Sequence, residues 1–598
     1  MSARLILGLA LLTSAAATAA APADTALASV APAGQSAWVA TSNVDTTKVL
    51  EAQAKFSPED ASDAGLTRYD GLATDLGPHI NARYIAAMQA ERGRLQQRLK
   101  QEKDPRVRQD LEILLGSLGD EITGTRLGEK YNLPWVDVPQ VVFGSMQSLL
   151  QEQLPVARRA KALERLQRYV GLYPGSTPLT EMAKARFIEK LGQPGLQGPV
   201  KAQLEKSLGN VPTYIKGIHD LFAAMKLAGA EPALAAMDKQ LTDYAAWERS
   251  TVLPRARENF RLPPEMYAFR LKRFGIDIDP QLLVQRAQVE FMETRAAMQA
   301  LAPVVAKAKG IEASDYRGVI RAMKKEVIAN DQLEASYKAV NTALEAAIRK
   351  ERVVDVPNRP MIMRLASEAE SAAQPAPHMQ PPPLIGNKGE QGQFVLPVGN
   401  PAAGGKGEAY DDFNFPGAAW TLSAHEGRPG HELQFSAMVE RGVSQARMLY
   451  AFNSVNVEGW ALYAEAEMVP SEPPEGQMIA LQFRLLRAAR AMLDPMLNLG
   501  LISREDAGRV LTDEVMLSAP MARQELDRYT FNSPGQAGSY FYGYSRILQL
   551  RADTELALGT KFDRLAFNNF LLDQGLLPPD LLAKSVREEF VPAYKGKQ

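Results

Sequence analysis

The chain has no cysteine. That absence rules out disulfides, thiolate-bound zinc, a thiol nucleophile and a lipid anchor on an N-terminal cysteine. Any metal must be held by histidine and carboxylate. Histidine is also scarce, with five in 598 residues. Charge of one sign is not in excess: the formal net charge is −1, with no long basic run and no acidic tail. Nucleic acid is therefore not an expected partner. No stretch after the N-terminus is apolar for the roughly 20 residues that a membrane helix needs, so integral membrane association is not expected. There is no Gly-x-Ser-x-Gly elbow. The glycines of Gly404-Gly405-Lys406-Gly407 lack the strand–loop–helix setting of a phosphate loop.

The first residues have the form of a cleaved leader. Arg4 supplies the positive charge, Leu5 to Leu12 the short apolar core, and Ala17-Thr18-Ala19 a small-residue cleavage site. Residues 1–19 are thus expected to be a signal peptide and 20–50 a linker rich in Ala, Pro, Ser and Thr. The mature protein is expected to be exported, soluble, and periplasmic or secreted.

Apolar residues then recur three and four apart over long stretches, including 81–102, 157–169, 201–227, 281–309 and 331–352. These predict an N-terminal helical region over 51–370. Pro and Gly thicken over 371–414, a connecting segment. Residues 361–365 and 393–397 are short apolar runs bounded by turn residues, which predicts two strands of a small sheet. Helical patterning resumes at Phe415 and continues through a C-terminal region, 415–598. The fold class is mainly α.

Two of the five histidines fall within one short segment, His425-Glu426-Gly427-Arg428-Pro429-Gly430-His431. Zinc peptidases commonly place two histidines four apart on a helix, with the Glu after the first as general base. At about 100° per residue, a gap of four separates side chains by roughly 40°, but a gap of six by roughly 240°. An unbroken helix would aim His431 away from His425. Pro429 clashes with the carbonyl four residues before it, and Gly427 and Gly430 tolerate unusual backbone angles. A break between Gly427 and Gly430 is therefore expected, and it would let the imidazoles converge.

Catalytic zinc commonly takes three protein ligands. Glu458 and Glu465 lie seven apart on one face of an otherwise apolar stretch, Val457 to Glu465. A carboxylate there is costly unless paired or metal-bound. Glu458 is assigned as third ligand, beside His425 and His431, and Glu465 as the group that orients a histidine. One zinc per chain is expected. Glu426 is the expected general base, and Arg528 a substrate-carboxylate ligand.

The segments His425 to Gln434, Glu458 to Glu465 and Pro534 to Tyr540 resemble a bacterial family catalogued as domain of unknown function 885. Agreement is weaker at Arg487 to Arg490, Arg528-Tyr529 and Phe567 to Pro578. A more distant likeness is to the thimet oligopeptidase and angiotensin-converting enzyme group. There a His-Glu-x-x-His helix precedes a helix with the third Glu ligand, and tyrosines act from a Gly/Tyr-rich segment similar to Ser539 to Tyr544, which implies Tyr540 as the oxyanion donor, with Tyr544 as second choice. The likeness implies a zincin-like helical fold with a deep cleft. Glu432, Asn498 and Asn568 depart from the first family's pattern, and are expected to line that cleft. The function expected is zinc-dependent hydrolysis of peptide amide bonds. The alternatives are an amidase or deacylase on a non-peptide amide, and an inactive metal- or peptide-binding protein. Nothing in the sequence fixes oligomeric state or endo- against exo-cleavage.

Overall fold

The computed structural model describes residues 36–397 and 411–596. Helices dominate, and the five stretches of helical spacing are helices within a residue or two of their expected ends: Ile80–Gln101, Val156–Tyr169, Lys201–Met225, Pro280–Lys309 and Asn330–Lys350. The expected signal peptide lies outside the described residues. Of the linker expected over 20–50, residues 20–35 also lie outside the described residues, and the part from residue 37 needs correction. Ala37–Ala54 is an 18-residue helix. Its Val49 and Ala52 pack with Met88, Leu95, Leu111 and Leu114. Small and polar residues hid it, because Ala and Thr suit a linker as well as a helix tucked against two others.

Two expected strands are present, and a third lies beside them. β1 (Ile362–Leu365) runs parallel to β3 (Gln393–Leu396). β2 (His378–Gln380) pairs antiparallel with β3, giving the order β1-β3-β2. β2 is bounded by Pro377 and Pro381. Proline cannot donate to a ladder, so that stretch did not read as a strand.

Several apolar clusters hold the helices. The largest joins Phe291, Met298 and Tyr337 to Phe394, Phe415, Leu422, Phe483 and Leu486. It therefore draws side chains from both sides of the 371–414 segment. A second gathers Leu433, Trp460, Tyr463, Tyr540, Tyr544 and Phe567. The helix Pro416–Glu426 lies between the two, giving Ala418, Ala419 and Leu422 to the first and Ala424 to the second. Among the described residues no helix is long and apolar enough to cross a membrane.

Candidate metal centre

The first histidine helix starts with Pro416 at its first turn and runs to Glu426. The next helix starts at His431 and runs to Arg441. The break falls where Pro429 and its flanking glycines demand it, and the Arg428–Pro429 bond is cis. Glycine at 430 is a matter of space: a Cβ there would sit 1.9 Å from the His425 carbonyl oxygen and 2.4 Å from that of Ala424. The indole N–H of Trp460 donates to the Pro429 carbonyl at 3.1 Å and fastens the bend to the Glu458 helix.

That helix, Ser454–Met468, is capped by Asn453, whose side chain accepts from the Asn456 N–H. It crosses the helix Ser539–Leu558 at Gly459 and Gly543. A Cβ on Gly543 would lie 2.0 Å from the Val455 carbonyl oxygen, and one on Gly459 would lie 2.6 Å from Gly543 backbone. The two backbones touch, and Tyr540, one turn before Gly543, is carried to the side of His425.

The structure brings three of the expected residues together. His425, His431 and Glu458 are all buried, and each offers a ligand atom within 4.8 Å of the others. Glu458 Oε2 lies 3.2 Å from His431 Nε2 and 3.5 Å from His425 Nε2. The imidazoles meet edge-on at 4.7 Å. Glu458 Oε2 accepts no hydrogen bond of good geometry among the described residues, and His431 Nδ1 has no partner there either. Leaving such buried atoms unmatched costs about 1–3 kcal/mol each, more if charged. Burial also opposes ionisation of Glu458, yet the adjacent His425 and His431 hold its carboxyl well below the usual range. The donor set of two imidazoles and a carboxylate, converging on one point with an unmatched oxygen, fits a divalent cation.

Behind His425 stands Glu465, with Oε1 2.6 Å from His425 Nδ1. Arg487 Nη2 binds the same oxygen at 2.9 Å, and Thr421 donates to Oε2 at 3.1 Å. Burial raises the Glu465 pKa, but Arg487 and then His425 outweigh it and hold it low. Occupation of Nδ1 by Glu465 leaves Nε2 facing the cluster. Glu426 lies at the rim, its Oε1 3.9 Å from His425 Nε2. Its other oxygen accepts from the Met379 backbone N–H at 2.9 Å, so the edge of β2 aims the carboxylate.

Tyr540 stacks on His425 at 6.2 Å, nearly parallel. Arg528 donates to its hydroxyl at 3.0 Å. Tyr544 instead meets the guanidinium of Arg484, 5.0 Å above its ring. The three departures from the family pattern do not line a cleft, which corrects the expectation. Glu432 binds Arg428 at 2.6 Å and Ser436 at 2.6 Å. Asn498 binds the Asp494 carboxylate and the Tyr529 carbonyl. Asn568 bridges the Tyr463 hydroxyl and the Val353 carbonyl. Each meets a buried polar group instead.

Sequence reasoning gave no role to Arg487, Thr421 or Met379. Arg487 was findable: it is a charge inside the apolar run of the helix Pro474–Asn498, the same signal that marked Glu458. Met379 acts through its backbone, which leaves no trace in residue type.

No curated protein matches the chain. Among solved structures it is similar to a candidate lipoprotein from Colwellia psychrerythraea, with TM-score 0.74 and 16% identity over 93% of this chain and 100% of that one. It is also similar to a candidate lipoprotein of unknown function from Shewanella oneidensis, with TM-score 0.67 and 19% identity over 92% of this chain and 100% of that one. At these identities the likeness is one of fold. A family described as "Bacterial protein of unknown function (DUF885)" matches residues 58–586, and with nearly the whole chain and its metal-site helices inside that span, the protein belongs to this family.

Proposed function

We propose that the chain is an exported zinc-dependent hydrolase that cleaves amide bonds in peptides. The observation that carries it is the buried convergence of His425, His431 and Glu458 with Glu426 at its rim and Glu465 behind His425. This is also the arrangement of the helical zinc peptidases that the sequence resembles.

A bound zinc supplies Lewis-acid polarisation and a more acidic water. The chain's own groups do the rest. Glu426 accepts the proton of the attacking water and returns it to the leaving amine. The Met379 N–H holds one Glu426 oxygen, so the other is presented to the reaction. Tyr540 offers its O–H to the developing oxyanion, and the Arg528 guanidinium on its oxygen makes that O–H a better donor. Glu465, fixed by Arg487 and Thr421, keeps His425 in one tautomer and orientation. Two solved neighbours are candidate lipoproteins, which agrees with a place of action outside the cytoplasm.

The test is elemental analysis of protein purified without chelator, then a peptide screen with wild type and Glu426→Gln. One zinc per chain is expected, lost on His425→Ala or His431→Ala. Glu426→Gln should keep the zinc and lose turnover by about a hundred- to ten-thousand-fold. Absence of bound metal even after zinc addition, or wild-type turnover by Glu426→Gln, overturns the proposal.

A further inference from the structure

Three arginines surround Tyr540, and two of them are matched. Arg487 pairs with Glu465 at 2.9 Å. Arg490, whose guanidinium sits 4.5 Å over the Tyr540 ring, grips Glu525 with two bonds of 2.8 and 2.6 Å. Tyr529 takes a further lone pair of Glu525. Asp527, next in the chain, is taken by Lys206 and Arg504. Arg528 is half-buried; it feels the charge of Glu525 but makes no hydrogen bond to a carboxylate among the described residues. Its side chain donates only to the Tyr540 hydroxyl. Arg487 adds to the surplus, since its Nε and Nη1 are buried with no acceptor. The side of the site next to Tyr540 therefore has several guanidinium N–H groups that the protein itself does not satisfy.

We propose that Arg528 receives the terminal carboxylate of a peptide substrate, which makes the enzyme a carboxy-exopeptidase. The proposal rests on the peptidase function above and specifies its substrate. A planar carboxylate matches the guanidinium fork, and such charge-assisted bonds are about twice as strong as neutral ones. Distance then sets the cut. From His425 across the stacked Tyr540 ring to Arg528 is at most about 12 Å, or three to four extended residues at ~3.3–3.6 Å each. A carboxylate held there places the scissile bond no more than about three residues from the C-terminus, so the product is a short C-terminal fragment.

The test uses the full mature protein with zinc and an N-acetylated alanine pentapeptide in three forms: free C-terminus, C-terminal amide, and amide with glutamate as last residue. Mass spectrometry locates the cut. The free form should be cut within three residues of its end, with kcat/KM at least about thirty-fold above the plain amide. Arg528→Met should erase that ratio and Arg528→Lys should restore part of it. Binding gives a second readout without turnover. Calorimetric titration of Glu426→Gln should show the free peptide bound at least about ten-fold tighter than the plain amide, and Glu426→Gln/Arg528→Met should bind both alike. Equal cleavage of free and plain amide forms overturns the exopeptidase inference and leaves the peptidase function standing. Equal cleavage of the free and glutamyl amide forms overturns it too, because a side chain then fills the Arg528 position. If no form is bound or cut, both fall together.

Discussion

At the scale of single residues, the proposed function separates groups that hold from groups that react. Glu465 touches His425 on the face turned away from the ligand cluster, so Glu465→Gln should weaken zinc affinity by about 10- to 100-fold. A zinc-buffered competition titration measures this, and unchanged affinity would show Glu465 to be a passive ion pair with Arg487. Tyr540→Phe removes one hydroxyl from a fully packed ring. It should leave zinc content unchanged and lower kcat by about a hundred-fold or more. A fall in metal content would mean that Tyr540 braces His425 instead. Glu465 was legible in the sequence because an apolar helix that carries two glutamates breaks ordinary patterns, whereas Tyr540 came only from the likeness of Ser539 to Tyr544 to a Gly/Tyr-rich segment. The surroundings of Arg528 were not legible. Its significance lies in which carboxylates its neighbours already occupy, and sequence spacing has no access to that.

Among elements, the crossing of the Glu458 and Tyr540 helices is a backbone-to-backbone joint near the site. Neither Gly459 nor Gly543 has room for a methyl group. Gly543→Ala should push the helices apart and destabilise the fold by about 1–3 kcal/mol. It should also draw Tyr540 off His425, so that kcat falls further than Tm alone would suggest. Thermal melting alongside steady-state kinetics checks this, and a variant with wild-type values in both would refute the crossing. The helices themselves were readable from three- and four-residue spacing. The sheet was readable only in part: β2 is three residues long between prolines, and its worth lies in one backbone N–H aimed at Glu426. The first helix was misread as linker because its composition is ambiguous and its burial depends on partners far along the chain.

For the molecule as a whole, buried acids set the pH response. Glu472 is 5% exposed, and neither of its carboxylate oxygens has a hydrogen-bond partner among the described residues. Burial, with help from the charge of Glu465, pushes its pKa up to about 8. The folded chain therefore holds a proton that the unfolded chain releases near pH 4.5. The resulting stability is complete below that pH and is lost as pH rises toward and through 8, by about a few kcal/mol. Glu472→Gln cannot ionise, so its Tm relative to wild type should rise by several degrees between pH 5 and pH 8.5. A difference that stays constant over that range would show Glu472 to be ionised and solvated in the native state.

The glycine crossing also has a bearing on how the protein comes together in time. His425, His431 and Glu458 lie on neighbouring stretches of chain, joined by the bend that Trp460 fastens. Tyr540 reaches them only when a helix from far downstream docks on Gly459. Short chain loops close before long ones, and contacts of high sequence separation form late. Under the proposed function, a refolding chain should therefore recover its grip on the metal first and its turnover second, with an interval in which it is loaded but idle.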